Sequence, residues 1–373
     1  MSTMRPTPTQ HDLDGLLASE LLVEASGVPA IAYVRAGLPG APTIVGLPGG
    51  GHLARVFYGH PGSRAEDFLD FWLEQRGLGL IALSYPSDHR AFRRRLTALT
   101  VTDWANAAAV ITAKIVKTRG LHGPIVPIGW SMAGRASRAF NVAARPLGLG
   151  MPGFIALAAT PPLPGMVGAD PEGVPFTEEG FWRTGSNDAD SLSARNESFL
   201  RDINWKGTEI IDAAAYAEYY IVNTPIRLRG EPNQRPGLDR NSLLDTIADL
   251  GTFAFPEYPF TGVIAPTHTT DARHALTDQA TWGFLNSQKF FSEYSAAKPM
   301  PALDWSQLRE LALQLPTRLC RYVEGGHFFF LGRDGAAQTA SHIQDLCNQL
   351  EHLQGRGKWE STNLPQTPAG PVG

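Results

Sequence analysis

Short apolar runs alternate with amphipathic stretches along most of the chain. The runs at 42–47, 78–85, 124–129, 153–159 and 260–265 are nearly continuous in apolar residues, as strands covered on both faces require, and 317–323 reads as a further strand. Residues 21–35 read as two strands turning at Ser26-Gly27, an antiparallel edge hairpin. Between the runs, 65–76, the segment from Asp103 to Lys117, 135–144 and about 336–353 carry helical periodicity; Asp103 is the expected cap of the second, and Gly120 its stop. Strand–helix alternation predicts an α/β fold with a mostly parallel sheet flanked by helices.

The alternation lapses between Pro162 and Pro259. Clusters such as Phe181-Trp182 and Tyr219-Tyr220 replace it, with helices expected at 213–223 and 242–250. A stretch that long between two strands is too extended for a plain loop and predicts a helical cap over 162–259. The remaining divisions are a loose arm at 1–16, a core made of 17–161 and 260–354, and a disordered tail at 355–373.

The 373 residues allow one large core with an insertion, and a formal charge of −4 gives no bulk attraction to nucleic acid or anionic membrane. The start of the chain lacks a secretory h-region, and no run of apolar residues is long enough to span a bilayer, so a cytoplasmic protein acting on a small molecule is expected. A homodimer is compatible with the sequence. Cys320 and Cys347 lack zinc-ligand spacing and read as buried free thiols.

The chemistry centres on Gly129-Trp-Ser-Met-Ala-Gly134, where an apolar strand meets a helix through a very tight turn. Small residues at Gly129, Ala133 and Gly134 permit a strained conformation that lifts the Ser131 hydroxyl clear of the sheet. A serine needs a base to take its proton. His327, after Gly325-Gly326 and before Phe328-Phe-Phe330, has the best context among ten histidines. Pro48-Gly-Gly-Gly-His52 follows the third strand, and the N–H groups of Gly50 and Met132 are the expected oxyanion donors. The glycine run matches neither GxxxxGK[ST] nor GxGxxG, which argues against a nucleotide site.

These three motifs resemble the α/β-hydrolase family over about residues 20 to 355, with 162–259 in the place of its variable cap. Ala133 departs from G-x-S-x-G, where the last position is glycine. Trp130 and Gly325-Gly-His-Phe328 are also similar to type II thioesterases. The resemblance implies a Ser–acid–His triad in that chain order, an acyl-serine intermediate and no cofactor. It places the acid after the strand preceding the histidine strand, where Asp271 comes first and Asp278 next; Asp304 is read as a helix cap.

Other residues admit two readings. His52, Tyr85 and Trp130 stand at strand ends near the expected pocket and are read as substrate-binding, with structural hydrogen bonds as the alternative. His268, Asp271, His274 and Asp278 fit no zinc spacing, so no metal is expected. Arg90 and Arg93-Arg94-Arg95 read as a solvated patch or as a contact for a substrate carboxylate or phosphate; Arg135 and Arg138 read as surface or ion-pair residues. The cap aromatics favour a largely apolar substrate. The resulting expectation is a serine hydrolase of an ester, thioester or lactone. An acyltransferase, lyase or carbon–carbon hydrolase on the same Ser/His pair is the alternative, with a non-catalytic binding protein behind it.

Overall fold

Apolar strands buried on both faces need helices on both sides, and the chain supplies them. The computed structural model describes residues 15–167, 176–184, 192–232, 242–296 and 305–355. The loose arm, the tail and Asp304 fall almost wholly or wholly outside them. Eight strands form one sheet in the order β1-β2-β4-β3-β5-β6-β9-β10. They are β1 (Glu20–Ala25), β2 (Val28–Arg35), β3 (Thr43–Leu47), β4 (Gly79–Ser84), β5 (Ile125–Trp130), β6 (Phe154–Leu157), β9 (Thr261–Pro266) and β10 (Cys320–Val323). β1–β2 and β2–β4 are antiparallel, and every other pairing is parallel. This order, with helices on both faces, is the α/β-hydrolase fold.

Neighbouring residues on each strand point to opposite faces. Val45, Ile81 and Val263 therefore join Trp104 and Ile111 of α2 (Val101–Arg119), Phe140 of α3 (Ser137–Ala144) and Trp282 of α7 (Ala272–Ala296). Ile44, Leu80 and Ile264 face the other way. They pack with Leu69 and Leu73 of α1 (Leu69–Gln75), Leu308 and Leu311 of α8 (Trp305–Arg318), and Ile343 and Leu346 of α9 (Arg333–Gly355). Cys320 and Cys347 are buried free thiols.

Two local expectations are corrected. Thr100, not Asp103, caps α2; Asp103 sits at the third helical position and completes a capping box. The helix is entered one turn earlier because Asp249 accepts from the N–H groups of Val101 (3.0 Å) and Thr102 (2.9 Å). The strand expected over 317–323 begins only at Cys320, since α8 continues through Pro316 to Arg318. Buried Leu308, Leu311 and Leu315 keep one helical face in the core, which outweighs the local cost of the proline.

Between β6 and β9 lie α4 (Ala194–Ile203), α5 (Ala213–Tyr219) and α6 (Leu243–Leu250), together with a two-stranded antiparallel ribbon, β7 (Phe181–Trp182) with β8 (Thr224–Pro225). The segment is tied to the glycine loop of the core. Leu53 N–H donates to Tyr220 O (2.9 Å) and Val222 N–H to Gly51 O (3.0 Å). Among the described residues, no helix is long and apolar enough to cross a membrane.

Candidate active site

Ser131 follows β5 directly, with φ of 56°, a value non-glycine residues rarely adopt. The turn closes because its neighbours are small. A Cβ on Gly129 would lie 2.6 Å from Phe154 Cζ and 2.9 Å from the Ala133 carbonyl carbon. A Cβ on Gly49 would lie 2.8 Å from that of Ser131, so the glycine loop approaches the serine as only glycine allows. Ala133 is itself buried without disturbing the turn.

Ser131, Gly50, Met132, Asp271 and His327 line one cavity of about 240 Å³. His327 Nδ1 is 2.7 Å from Asp271 Oδ2, so the imidazole donates there and keeps Nε2 for another partner. Burial alone would push the Asp271 carboxyl up. The His327 hydrogen bond, with His274 and Arg273 nearby, outweighs burial and holds it below its ordinary value. Of the aspartates left open by the sequence, Asp278 meets a different base: its carboxylate accepts from His274 Nδ1 at 2.8 Å.

His52, Tyr85 and Trp130 are not in the cavity wall. All three are buried and serve as supports, which replaces their reading as substrate contacts. Trp130 Nε1 donates to His327 O (3.0 Å) and fixes the histidine loop. Tyr85 OH accepts from Gly51 N–H (2.8 Å), which Thr224 Oγ1 shares at 2.8 Å. His52 donates from Nδ1 to Gly50 O (3.2 Å) and accepts at Nε2 from Tyr216 OH (2.7 Å). The glycine loop is thus braced from behind, which suits a donor site that must not reorganise.

Burial, with Arg195 nearby, pushes the His52 pKa from 6.5 down to about 3, keeping the ring neutral. Below pH 6.5 the unfolded chain therefore binds a proton there that the folded chain refuses until about pH 3. Stability should fall as pH drops through that window, by roughly 2 kcal/mol from this residue at pH 5. Melting temperatures at pH 7.5 and 5 test this, and His52→Gln should flatten the difference. Equal slopes in the variant and the parent would contradict the assignment.

Asp271, His274 and His327 offer ligand atoms within 4.8 Å of one another. Several of those atoms already have partners: Asp271 Oδ2 accepts from His327 Nδ1, His274 Nδ1 binds Asp278, and Arg273 Nη2 donates to His274 Nε2 at 2.5 Å. A guanidinium in that position opposes a cation.

Trp182, Phe199, Val167 and Met132 give the cavity apolar wall, but Arg135, Arg195, Arg229 and Arg273 line it too. The largely apolar lining expected from the cap aromatics is therefore interrupted by four guanidinium groups. Arg135 is not a surface residue; it is buried against Glu231 and Gly230 O, whereas Arg138 pairs with Glu257 at the edge of the fold. The Arg93–95 run is exposed and does not reach the cavity. Arg195, Arg229 and Arg273 had no sequence signal, because each arrives from a different segment.

No protein-family model and no curated protein matches the sequence. Among solved structures, the chain is similar to the epoxide hydrolase VrEH1 from Vigna radiata, at 11% identity and a TM-score of 0.48, covering 90% of this chain and 100% of that one. It is likewise similar to a thermophilic esterase from Thermogutta terrifontis, at 13% identity and a TM-score of 0.46, covering 89% and 99%. A highly thermostable carboxyl esterase from Bacillus coagulans aligns at 11% identity with a TM-score of 0.44, covering 89% and 98%.

Proposed function

We propose that the protein is a serine hydrolase that cleaves an ester, thioester or lactone bond of a small molecule through an acyl-serine intermediate. The observation that carries this reading is Ser131, at a φ of 56°, sharing one cavity with His327, whose Nδ1 is held by Asp271 at 2.7 Å. In this reading Asp271 fixes the tautomer that leaves His327 Nε2 unprotonated. Nε2 takes the Ser131 proton as Oγ attacks the carbonyl carbon. The carbonyl oxygen gains negative charge and is received by the N–H groups of Gly50 and Met132. His327 then returns the proton to the leaving oxygen or sulfur, and a water, deprotonated by the same Nε2, releases the acid.

Residues 162–259 act as the cap, contributing Trp182, Arg195, Phe199 and Arg229 to the wall. The cavity, near 240 Å³, suits a compact substrate. A fluorophosphonate probe is expected to label the protein once, on the peptide bearing Ser131. Labelling elsewhere, or none, would count against the nucleophile. Solvent ¹⁸O in the acid product separates hydrolysis from acyl transfer or lysis.

A further inference from the structure

The guanidinium groups around Ser131 are not equally satisfied by the protein. Arg135 is neutralised by Glu231, whose carboxylate also accepts from the N–H groups of Gly165 (2.8 Å) and Val167 (3.3 Å). Arg273 is spread over Met166 O (3.2 Å), Thr160 Oγ1 (3.0 Å) and His274 Nε2 (2.5 Å), three uncharged acceptors. Asp271, the carboxylate among the described lining residues, is engaged by His327.

Arg195 differs from these. Its guanidinium carbon lies 5.1 Å from the Trp182 ring centre and 4.8 Å from that of Phe199, so two aromatic rings hold the fork in place. Its Nη1 is buried and has no hydrogen-bond partner among the described residues. That nitrogen also borders the glycine loop, 3.4 Å from where a Cβ on Gly51 would stand. Burial pushes the Arg195 pKa below the ordinary arginine value. Arg195 lines the cavity with no carboxylate beside it among the described residues, and the arginine fork matches carboxylate and phosphate oxygens.

We propose that the compound processed at Ser131 carries a carboxylate or phosphate group that Arg195 receives, within the positive field added by Arg273. The substrate class is then a small bifunctional molecule, with an acyl bond for Ser131 and an oxyanion a short chain away. The inference rests on the hydrolase reading for its reaction, but the anion site itself is testable without turnover.

Calorimetric titration of the Ser131→Ala protein with succinate, and separately with inorganic phosphate, measures that site alone. At least one is expected to bind with a Kd of about 1 mM or tighter. Adding Arg195→Gln should weaken that binding about tenfold or more. Which anion binds tells a carboxylate from a phosphate. Binding of neither, or equal binding by the Arg195→Gln protein, overturns the proposal.

The turnover arm compares kcat/KM for mono-4-nitrophenyl succinate with that for uncharged 4-nitrophenyl butyrate. Where phosphate is the anion that binds, the phosphonoacetate ester replaces the succinate. The charged ester should be preferred, and the ratio should collapse towards one in Arg195→Gln through a rise in KM. A loss in kcat shared by both esters would make Arg195 an oxyanion donor or a packing residue, and would overturn the proposal. Anion binding without turnover of either ester would instead remove the hydrolase reading and leave the anion site standing. Arg195→Lys, which keeps the charge without the fork, should fall between the two and guards against misfolding of the glutamine variant.

Discussion

Replacing Ser131 by alanine is expected to lower kcat by about 10⁶-fold, to the level sustained by binding and the oxyanion donors alone. The reason is the division of labour in the cavity. In the proposed mechanism His327 accepts a proton and Gly50 and Met132 receive negative charge, but among the described residues nothing else there supplies a nucleophilic oxygen held by strained backbone. Alanine tolerates the φ of 56° no worse than serine, and the bond from Thr160 N–H to Ser131 O (2.9 Å) uses only backbone. The variant should therefore fold with a nearly unchanged melting temperature. Substantial turnover by a well-folded Ser131→Ala protein would end the acyl-serine mechanism.

Changing Asp271 to asparagine should cost about 10⁴-fold in kcat with little change in KM. The amide keeps the size of the carboxylate but can donate towards His327 Nδ1, which selects the wrong tautomer and removes the charge that stabilises the imidazolium. Because the His327 hydrogen bond, with His274 and Arg273 nearby, outweighs burial and holds the Asp271 carboxyl below its ordinary value, it remains ionised as pH falls through neutrality. The parent should therefore keep its Asp271 charge across the whole working range. Asp278→Asn is the control. Its partner is His274, not His327, so kcat should change by no more than about tenfold. The opposite ranking of the two variants would move the acid to Asp278 and show that His274, not His327, is the base.

The positions of the strands along the chain and the identity of the loops at their ends were legible because both are short-range properties. Continuous apolar runs mark strands covered on both faces, as in β3, β4, β5 and β9, where every residue is buried. The elbow was legible because its backbone conformation demands small residues within a few positions of Ser131. Misreadings arose where a local signal met a stronger one from elsewhere. Asp249, from α6, reached the N-terminus of α2 and moved its cap to Thr100. Buried leucines carried α8 past Pro316.

The same distinction runs through the site. The sequence alone determined the strand–turn–helix around Ser131, the glycine loop beside it and the histidine loop near the end of the chain. Only the tertiary structure decided which aspartate meets His327, because the two residues that do so are 56 positions apart and Asp278 is taken by a nearer histidine. It also turned His52, Tyr85 and Trp130 from ligand contacts into supports, and gathered four arginines from four segments around one cavity. Periodicity and spacing report what a residue's neighbours along the chain require. Hydrogen bonds and charge around a cavity depend on which distant segments the packed core brings within reach.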